Sequence, residues 1–262
     1  MSSGVASFNI RINPFELQGT FVVTGGTRGI GRAISEQFAR SGARVVANYL
    51  RNEKAALELQ SLCAQEELPL TLCRADLTTP EGLTRVCAAV RERGAPLSGI
   101  VHCAATGTHR PIDSLTGRHF DAIFALNARA FFELVIRLLD EFDHQGSVLA
   151  ISSMGASHAI PHYAAVGASK GALEALVRHL AVELAPRGIR ANLIRPGAVE
   201  TDAWKAIPDA AARLEAAARR SPIRRLVRAD ELALCAQFLC SSAAAGINGQ
   251  TLIVDGGTTI VA

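Results

Sequence analysis

Short runs of apolar residues alternate with amphipathic stretches along most of this chain. Seven of the runs are rich in Val, Ile and Leu and lack a strict alternation of apolar and polar positions, which is typical of parallel strands buried on both faces. The predicted strands are Thr20–Val23, Arg44–Asn48, Leu70–Arg74, Gly99–His102, Ser147–Ile151, Arg190–Ile194 and Thr251–Val254.

Helical patterns fill the intervals between these runs. After the first run, Ile30, Ile34 and Phe38 recur at every fourth position, as on one face of an α-helix. The other predicted helices are Glu53–Gln65, Glu81–Glu92, Thr116–Asp140, Tyr163–Ala185 and Ala229–Ser241. Strands that alternate with helices predict an α/β fold, a single doubly wound parallel sheet of about seven strands with helices on both faces.

The chain is long enough for one large domain. It has 262 residues, and no linker-like stretch or internal repeat divides it. We predict a flexible N-terminal arm over residues 1–16 and a single domain over 17–262. Residues 198–226 are rich in Ala and Arg and interrupt the alternation of strands and helices. A substrate lid is predicted there, beside the carboxyl ends of the strands.

Charge and hydropathy exclude several classes of partner. The formal charge is +3, from 27 basic and 24 acidic residues, which is too mild to predict a nucleic-acid-binding protein. No apolar run is long enough to span a membrane. Met1–Asn13 contains neither a lysine nor the apolar segment of a signal peptide. We therefore expect a cytoplasmic protein.

The cysteines and histidines predict no metal site. No cysteine stands in a Cys-x-x-Cys pair or at zinc-ligand spacing, so buried free thiols in a reducing compartment are expected. His102, His158 and His162 have no carboxylate partner at ligand spacing. The six cysteines are Cys63, Cys73, Cys87, Cys103, Cys235 and Cys240.

A glycine-rich segment follows the first predicted strand and opens the first helix. It reads Thr-Gly-Gly-Thr-Arg-Gly-Ile-Gly over Thr24–Gly31. Glycines allow a tight turn and a close approach of the backbone to a pyrophosphate, which the N-terminus of the following helix would bind. The predicted cofactor contacts here are Gly25, Thr27, Arg28, Gly29, Ile30 and Gly31.

The end of the second strand predicts which dinucleotide is bound. An NAD enzyme is expected to carry an acidic residue there, whereas this chain reads Asn48-Tyr49-Leu50-Arg51. The guanidinium groups of Arg28 and Arg51 suit a ribose 2′-phosphate. The prediction is NADP(H), with Tyr49 and Arg51 at the adenosine end; the alternative is that both arginines are solvated surface charges.

From Leu17 to Ile260 the sequence resembles the short-chain dehydrogenase/reductase family, which has a Rossmann-type fold. Thr24–Gly31 is similar to the TGxxxGxG motif of that family. His102-Cys103-Ala104-Ala105 stands where the family usually has Asn-Asn-Ala-Gly, and Asn127 stands where it has a structural and proton-relay asparagine. The resemblance implies further cofactor contacts at Asp76, Leu77, Cys103, Ala104, Ala105, Lys170, Pro196, Gly197 and Thr201. Of these, Pro196, Gly197 and Thr201 resemble the family's PGxxxT segment, which holds the nicotinamide carboxamide and is called the predicted nicotinamide segment below.

The catalytic positions depart from the family pattern. Ser153 and Lys170 are retained, but the tyrosine expected four residues before the lysine is Val166. Tyr163 lies seven residues before Lys170, about two helical turns, so the two side chains share a helix face. Reduction of an enoyl thioester delivers hydride to C3 and places charge on the C1 oxygen. The oxygen therefore lies farther from the hydride-accepting carbon than in a ketone, and this longer separation favours a tyrosine placed about one helical turn earlier.

The Tyr-x6-Lys spacing is similar to that of enoyl-acyl carrier protein reductases, and four segments resemble their type III branch. The resemblance implies NADPH-dependent reduction of an enoyl thioester on an acyl carrier protein, as in fatty acid or polyketide biosynthesis. Tyr163, Lys170, Ser153 and Asn127 are then the predicted catalytic residues. The four segments are Asn48–Arg51, Cys103–Gly107, Tyr163–Lys170 and Ala198–Ala203.

Two other functions remain open at this point. One is a carbonyl or 3-oxoacyl reductase, or a tailoring dehydrogenase of secondary metabolism, because Ser153 and Pro196-Gly197 are similar to those of ketoreductases. The other is an NADP-binding protein without turnover, because Val166 replaces the family tyrosine. Relatives are often tetramers, so a homo-oligomer packed through helices 116–140 and 163–185 is expected.

A cluster of arginines flanks the predicted lid, and its members are called the lid arginines below. These side chains either attract an acidic carrier protein and its phosphopantetheine or form a solvated helix face. They are Arg219, Arg220, Arg224, Arg225 and Arg228.

Overall fold

Seven parallel strands form one sheet in the computed structural model, which describes residues 15–201 and 209–261 (for 143 and 144 the backbone only). In space the strands follow the order β3-β2-β1-β4-β5-β6-β7, which confirms the predicted doubly wound sheet. The strands are β1 Thr20–Thr24, β2 Arg44–Tyr49, β3 Leu70–Arg74, β4 Leu97–His102, β5 Phe142–Ile151, β6 Ile189–Pro196 and β7 Thr251–Val254.

The helices alternate with the strands as the hydrophobic pattern predicts. The α2 helix has the predicted bounds, because the Asn52 side chain accepts a hydrogen bond from the Ala55 backbone N–H at 3.1 Å and caps its first turn. The helices are α1 Gly29–Arg40, α2 Glu53–Gln65, α3 Pro80–Arg91, α4 Gly117–Phe124, α5 Ala130–Arg137, α6 Ala164–Leu184, α7 Ala210–Arg220 and α8 Ala229–Cys240.

The long helix predicted over Thr116–Asp140 is interrupted. A π-helical turn, Ala125–Arg129, separates α4 from α5, and a 3₁₀ turn, Leu139–Glu141, follows α5. Apolar periodicity does not reveal an inserted π-helical residue, because the apolar faces on either side continue. The wider turn carries Asn127 to the side chains and backbone that it binds near the candidate site.

The apolar core has two layers, one on each face of the sheet. Side chains of α3, α5 and α6 pack on one face, with Leu83, Leu134 and Val177 among them. Side chains of α1, α2 and α8 pack on the other face, where Phe38 meets Phe21 of β1 edge-on at 5.1 Å between ring centroids. Coverage of both faces explains why the strands are continuous apolar runs.

The strand order reverses between β1 and β4. In doubly wound sheets, the crevice at such a reversal, at the carboxyl ends of the strands, is the usual ligand site. The loops after β1, β2, β3 and β4 all meet there. Most of the predicted N-terminal arm (residues 1–14) and residues 202–208 of the predicted lid lie outside the described residues.

Within the described ranges, no helix has the length and hydrophobicity needed to cross a lipid bilayer.

Candidate active site

A cleft of about 1490 Å³ runs along the carboxyl edge of the sheet, across the β1–β4 reversal. It brings together most of the predicted cofactor contacts; in the described part of the chain, Lys170, Pro196 and Gly197 lie outside its lining. The predicted residues that line it are Gly25, Thr27, Arg28, Gly29, Ile30, Gly31, Tyr49, Arg51, Asp76, Leu77, Cys103, Ala104, Ala105 and Thr201.

The glycine-rich loop is shaped to receive a dinucleotide. Gly25 has φ +61°, and a Cβ there would lie 3.0 Å from the Ala104 backbone. A Cβ on Gly31 would lie 2.2 Å from the Gly25 carbonyl oxygen, so only glycine fits. Arg28 opens α1 without a side-chain cap, which leaves the helix N-terminus to bind an anion. The loop therefore fits the pyrophosphate of a nicotinamide dinucleotide.

Arg28 and Arg51 are both exposed at the adenosine end of the cleft. Neighbouring arginines are paired: Arg32 with Glu36 at 2.7 Å, and Arg74 with Glu53 at 3.8 Å. Within the described ranges, neither Arg28 nor Arg51 has an ion-pair partner. Both guanidinium groups are thus available to pair with an anion in the cleft, and their predicted role toward a 2′-phosphate stays a prediction.

A buried histidine connects the glycine-rich loop with the π-helical turn. The Thr24 hydroxyl oxygen accepts the backbone N–H groups of Cys103 and Ala104, both at 3.1 Å, so its proton is donated to His102 Nδ1 at 2.9 Å. His102 Nε2–H then donates to the Leu126 carbonyl at 3.2 Å. Burial, reinforced by the charge of Lys170, lowers the pKa of His102 to about 3, so the ring is neutral.

Tyr163 and Ser153 meet although ten residues separate them. The Tyr163 hydroxyl donates a hydrogen bond to Ser153 Oγ at 3.2 Å. Ser153 Oγ also accepts the Gly155 backbone N–H at 3.2 Å, and a Cβ on Gly155 would lie 2.5 Å from the Tyr163 ring. Burial raises the pKa of Tyr163. The phenol is therefore protonated at neutral pH and is placed as a hydrogen-bond donor.

Lys170 lies two turns along α6 from Tyr163. It is only 5% exposed, and Nζ donates to the carbonyl oxygen of Ile151, a residue that lines the cleft, at 2.7 Å. Burial lowers the pKa of Lys170 to about 8. At neutral pH the ammonium remains mostly charged beside the cleft.

The position usually held by the family tyrosine is covered. Val166 is 4% exposed and packs with Ile123 and Ala165. The loop after β4 lies directly on Val166. The approach is so close that a Cβ added to Gly107 would lie 2.6 Å from Val166 Cγ2. The same loop brings His109 to 5.3 Å from Tyr163, centroid to centroid.

Asn127 holds that loop in place. Its Oδ1 accepts the Thr106 N–H at 2.9 Å, and its Nδ2 donates to the Thr106 carbonyl at 3.0 Å and to Ser169 Oγ at 2.9 Å. Both amide protons are therefore engaged by protein groups. In this structure, Asn127 contacts the loop and α6, and its predicted proton-relay role remains a prediction.

The predicted nicotinamide segment lies at the end of β6. A Cβ on Gly197 would lie 2.9 Å from Asp255 Cα, and Gly197 N–H donates to the Val254 carbonyl at 2.9 Å. The side chain of Thr201 would lie 3.4 Å from a Cβ on Gly29. The segment therefore extends from β6 back to the glycine-rich loop.

Asp76 and Cys103 line the cleft without being reactive. The Asp76 carboxylate accepts the Thr78 N–H at 2.9 Å and the Thr78 hydroxyl at 2.7 Å, which fixes the turn after β3. Burial raises the pKa of Cys103 to about 12, so a thiolate is not available. All six cysteines are free thiols.

Most of the lid arginines have partners within the protein. Arg225 binds Glu231 through two hydrogen bonds of 2.6 and 2.8 Å, which lower the pKa of Glu231 to about 2. Arg219 pairs with Glu215, and Arg228 with Asp230. This intramolecular pairing weakens the case for the arginine cluster as a docking site for an acidic carrier protein.

Sequence reasoning missed two residues beside the site. Glu174 and Arg195 form a buried ion pair at 2.6 Å. Glu174 is four residues after Lys170, so its position on the same helix face was a usable signal. The sequence analysis included Gly107 in a segment that resembles the type III branch, but it did not predict the contact with Val166.

Comparison with known proteins gives relatives over almost the whole chain. Residues 25–259 match the family described as "Enoyl-(Acyl carrier protein) reductase". The chain is 34% identical to a 1-cyclohexenylcarbonyl-CoA reductase from Streptomyces collinus, over 92% of this chain and 87% of that protein.

Solved structures give the same fold with other substrates. A gluconate 5-dehydrogenase from Burkholderia cenocepacia, in complex with NADP and tartrate, is 29% identical with a TM-score of 0.87, over 95% of this chain and 98% of that one. A 7 alpha-hydroxysteroid dehydrogenase complexed with NADH and 7-oxo glycochenodeoxycholic acid is 32% identical with a TM-score of 0.87, over 93% and 96%.

Proposed function

The chain belongs to the short-chain dehydrogenase/reductase family, and we propose that within it the protein is an NADPH-dependent reductase of the C2=C3 double bond of enoyl thioesters. The proposal rests on the position of Tyr163, the tyrosine that directly precedes α6, the helix that contains Lys170. Tyr163 donates to Ser153, while Val166 lies buried under the loop at Gly107. The acid is thus displaced along α6 from the position that suits a ketone. The name of the Streptomyces relative supports a thioester substrate.

The reaction assigns a role to each side chain. Bound NADPH supplies a hydride to C3. The π pair of C2=C3 then forms a C1=C2 double bond and the π pair of the C1 carbonyl moves to its oxygen, where Tyr163 donates a hydrogen bond to the developing enolate. Lys170, whose Nζ donates to the carbonyl of the cleft residue Ile151, would hold the ribose hydroxyls of the cofactor and keep positive charge beside this oxygen. In the free protein the one proton of the phenol goes to Ser153 Oγ. When it is donated to the enolate instead, Ser153 donates its own hydroxyl proton to the Tyr163 oxygen, and addition of a proton from water to C2 completes the reduction.

Tyr163→Phe tests this assignment, because it removes the hydroxyl and keeps the ring on Gly155. A positioned acid contributes about 10²–10⁴-fold, so kcat for a crotonyl thioester should fall by that factor while NADPH affinity changes little. Thr84→Val is the control, since it also removes a single hydroxyl, at an exposed position of α3 outside the cleft lining. Unchanged enoyl reduction by Tyr163→Phe would rule the proposal out.

The Ser153–Tyr163 hydrogen bond favours a second candidate, a carbonyl or 3-oxoacyl reductase. NADPH oxidation with crotonyl and acetoacetyl thioesters, each on coenzyme A and on acyl carrier protein, separates the two and identifies the carrier. Ser153→Ala should be mild on the enoyl substrate and severe on the ketone. Ketone reduction without enoyl reduction selects the second candidate. Binding of NADPH without any turnover selects a non-catalytic protein.

A further inference from the structure

A buried ion pair lies just behind the candidate active site. Glu174 of α6 is 6% exposed, and its carboxylate accepts two hydrogen bonds from Arg195 at the end of β6. Arg195 Nε donates to Oε1 at 2.9 Å, and Nη2 donates to Oε2 at 2.6 Å. This two-bond geometry fixes the angle between the two groups as well as their distance.

Two serine hydroxyls extend the pair to the segment that carries Ser153. Ser152 Oγ donates to Glu174 Oε1 at 2.5 Å, and Arg195 Nη1 donates to Ser157 Oγ at 2.9 Å. Ser152 and Ser157 lie on either side of Ser153, one at the end of β5 and the other after the turn that Ser153 caps. The network therefore holds both ends of this turn.

Each segment that the network joins also carries a residue of the site. Ser152 precedes Ser153, and Glu174 is one helical turn after Lys170. Arg195 directly precedes Pro196 of the predicted nicotinamide segment. The relative positions of Ser153, Lys170 and the end of β6 are consequently set by one cluster of hydrogen bonds.

Stability does not account for this arrangement. Replacing a buried ion pair with apolar residues of similar size is often neutral or stabilising, because desolvation of the charges offsets their attraction. Instead, the pair fixes the relative positions of the end of β5, α6 and the end of β6. We propose that Glu174 and Arg195 are positioning residues, which set the separation of Ser153, Tyr163 and Lys170 for reduction; this inference rests on the proposed reductase function.

The test is the double variant Glu174→Met/Arg195→Met, which fills the space without charges. The melting temperature should stay close to that of the wild type. Since displacement of catalytic groups by about 1 Å costs up to about a hundredfold in rate, kcat should fall about ten- to a hundredfold. NADPH affinity and KM should change little, which a general loss of folding would not produce. Glu174→Asp should also lower kcat, because it keeps the charge and shortens the reach.

Arg91→Met/Glu141→Met is the matched control. That pair is joined by a 2.6 Å hydrogen bond and lies away from the site, between α3 and the start of β5, so kcat should be unchanged. Wild-type kcat in a well-folded Glu174→Met/Arg195→Met protein would overturn the inference.

If the double variant does not fold, Ser152→Ala decides, because it keeps the ion pair and removes only its hydrogen bond to the end of β5. Lowered kcat at an unchanged melting temperature supports the inference, and unchanged kcat overturns it. All variants are compared with the wild type on whichever substrate the wild type reduces. The substrate that the wild type reduces tests the enoyl assignment. The ratio of the variant's kcat to the wild-type kcat tests this inference.

Discussion

At the scale of single residues, we expect cofactor choice to depend on two exposed arginines. Arg28 and Arg51 lie at the cleft without ion-pair partners among the described residues, as expected of groups that bind a 2′-phosphate. A charge-assisted hydrogen bond contributes about 1.5–3 kcal/mol. Loss of either arginine should thus erode the preference for NADPH over NADH about ten- to a hundredfold, measured as the ratio of dissociation constants.

Arg74→Ala serves as the control for that measurement, because Arg74 ends the neighbouring strand and pairs with Glu53. It should leave the ratio unchanged. Equal affinity of the wild type for NADH and NADPH would contradict the assignment of NADP(H).

His102 makes stability depend on acidity. Its pKa is about 3 in the folded protein, against an ordinary value of 6.5. At pH values between about 3 and 6.5, His102 is therefore protonated in the unfolded chain and neutral in the folded protein. The contribution of neutral His102 is complete above pH 6.5 and is lost progressively as the pH falls towards about 3, on the order of 4–5 kcal/mol in total.

His102→Asn should reduce this loss, because an amide accepts from Thr24 and donates to the Leu126 carbonyl without titrating. Urea unfolding at pH 6.5 and pH 4 measures the difference, and the variant should lose about 3 kcal/mol less than the wild type. His179→Asn, at an exposed position on α6, is the control. An identical loss in wild type and His102→Asn would show that another group governs acid sensitivity.

At the scale of elements, the loop after β4 decides what the start of α6 can do. Asn127 binds both backbone groups of Thr106, and Gly107 rests on Val166. Val166→Tyr restores the family spacing, but the ring has no space unless this loop moves. Overpacking costs about 1–3 kcal/mol. A lower melting temperature and slower enoyl reduction are expected, without ketone reduction.

Val166→Ile adds a single methylene and is the control, with a small loss of stability. Ketone reduction by Val166→Tyr at the wild-type melting temperature would show that the loop does not block this position.

The same elements show how far the sequence predicts the structure. The bounds of β3 and α2 agree with prediction, because the short run Leu70–Arg74 and the Asn52 cap are local signals. The cleft residues also follow from the strand ends. By contrast, the π-helical turn at Asn127, the loop over Val166 and the Glu174–Arg195 pair depend on contacts between residues distant in sequence. Local patterns carry no information about such contacts.

At the scale of the whole molecule, the helices predicted for oligomer contacts expose several apolar side chains. Phe132 and Ile136 are exposed on the same face of α5, one turn apart, and Val182 is exposed on α6. Ala172 and Leu176 of α6 line the cleft together with Phe132. Exposed apolar side chains on both helices are what we expect if a second copy packs on the regions predicted for oligomer contacts.

Phe132→Glu/Ile136→Glu tests this packing. Full burial of each apolar side chain contributes about 1.5–3 kcal/mol, and a buried unpaired carboxylate costs more, so the double variant should dissociate to the mass of a monomer. Light scattering coupled to size-exclusion chromatography measures the mass, with the wild type expected as a dimer or tetramer. Leu57→Glu, at an exposed apolar position on α2, should leave the wild-type mass unchanged. A monomeric wild type, or dissociation by Leu57→Glu alone, would place the interface elsewhere or remove it.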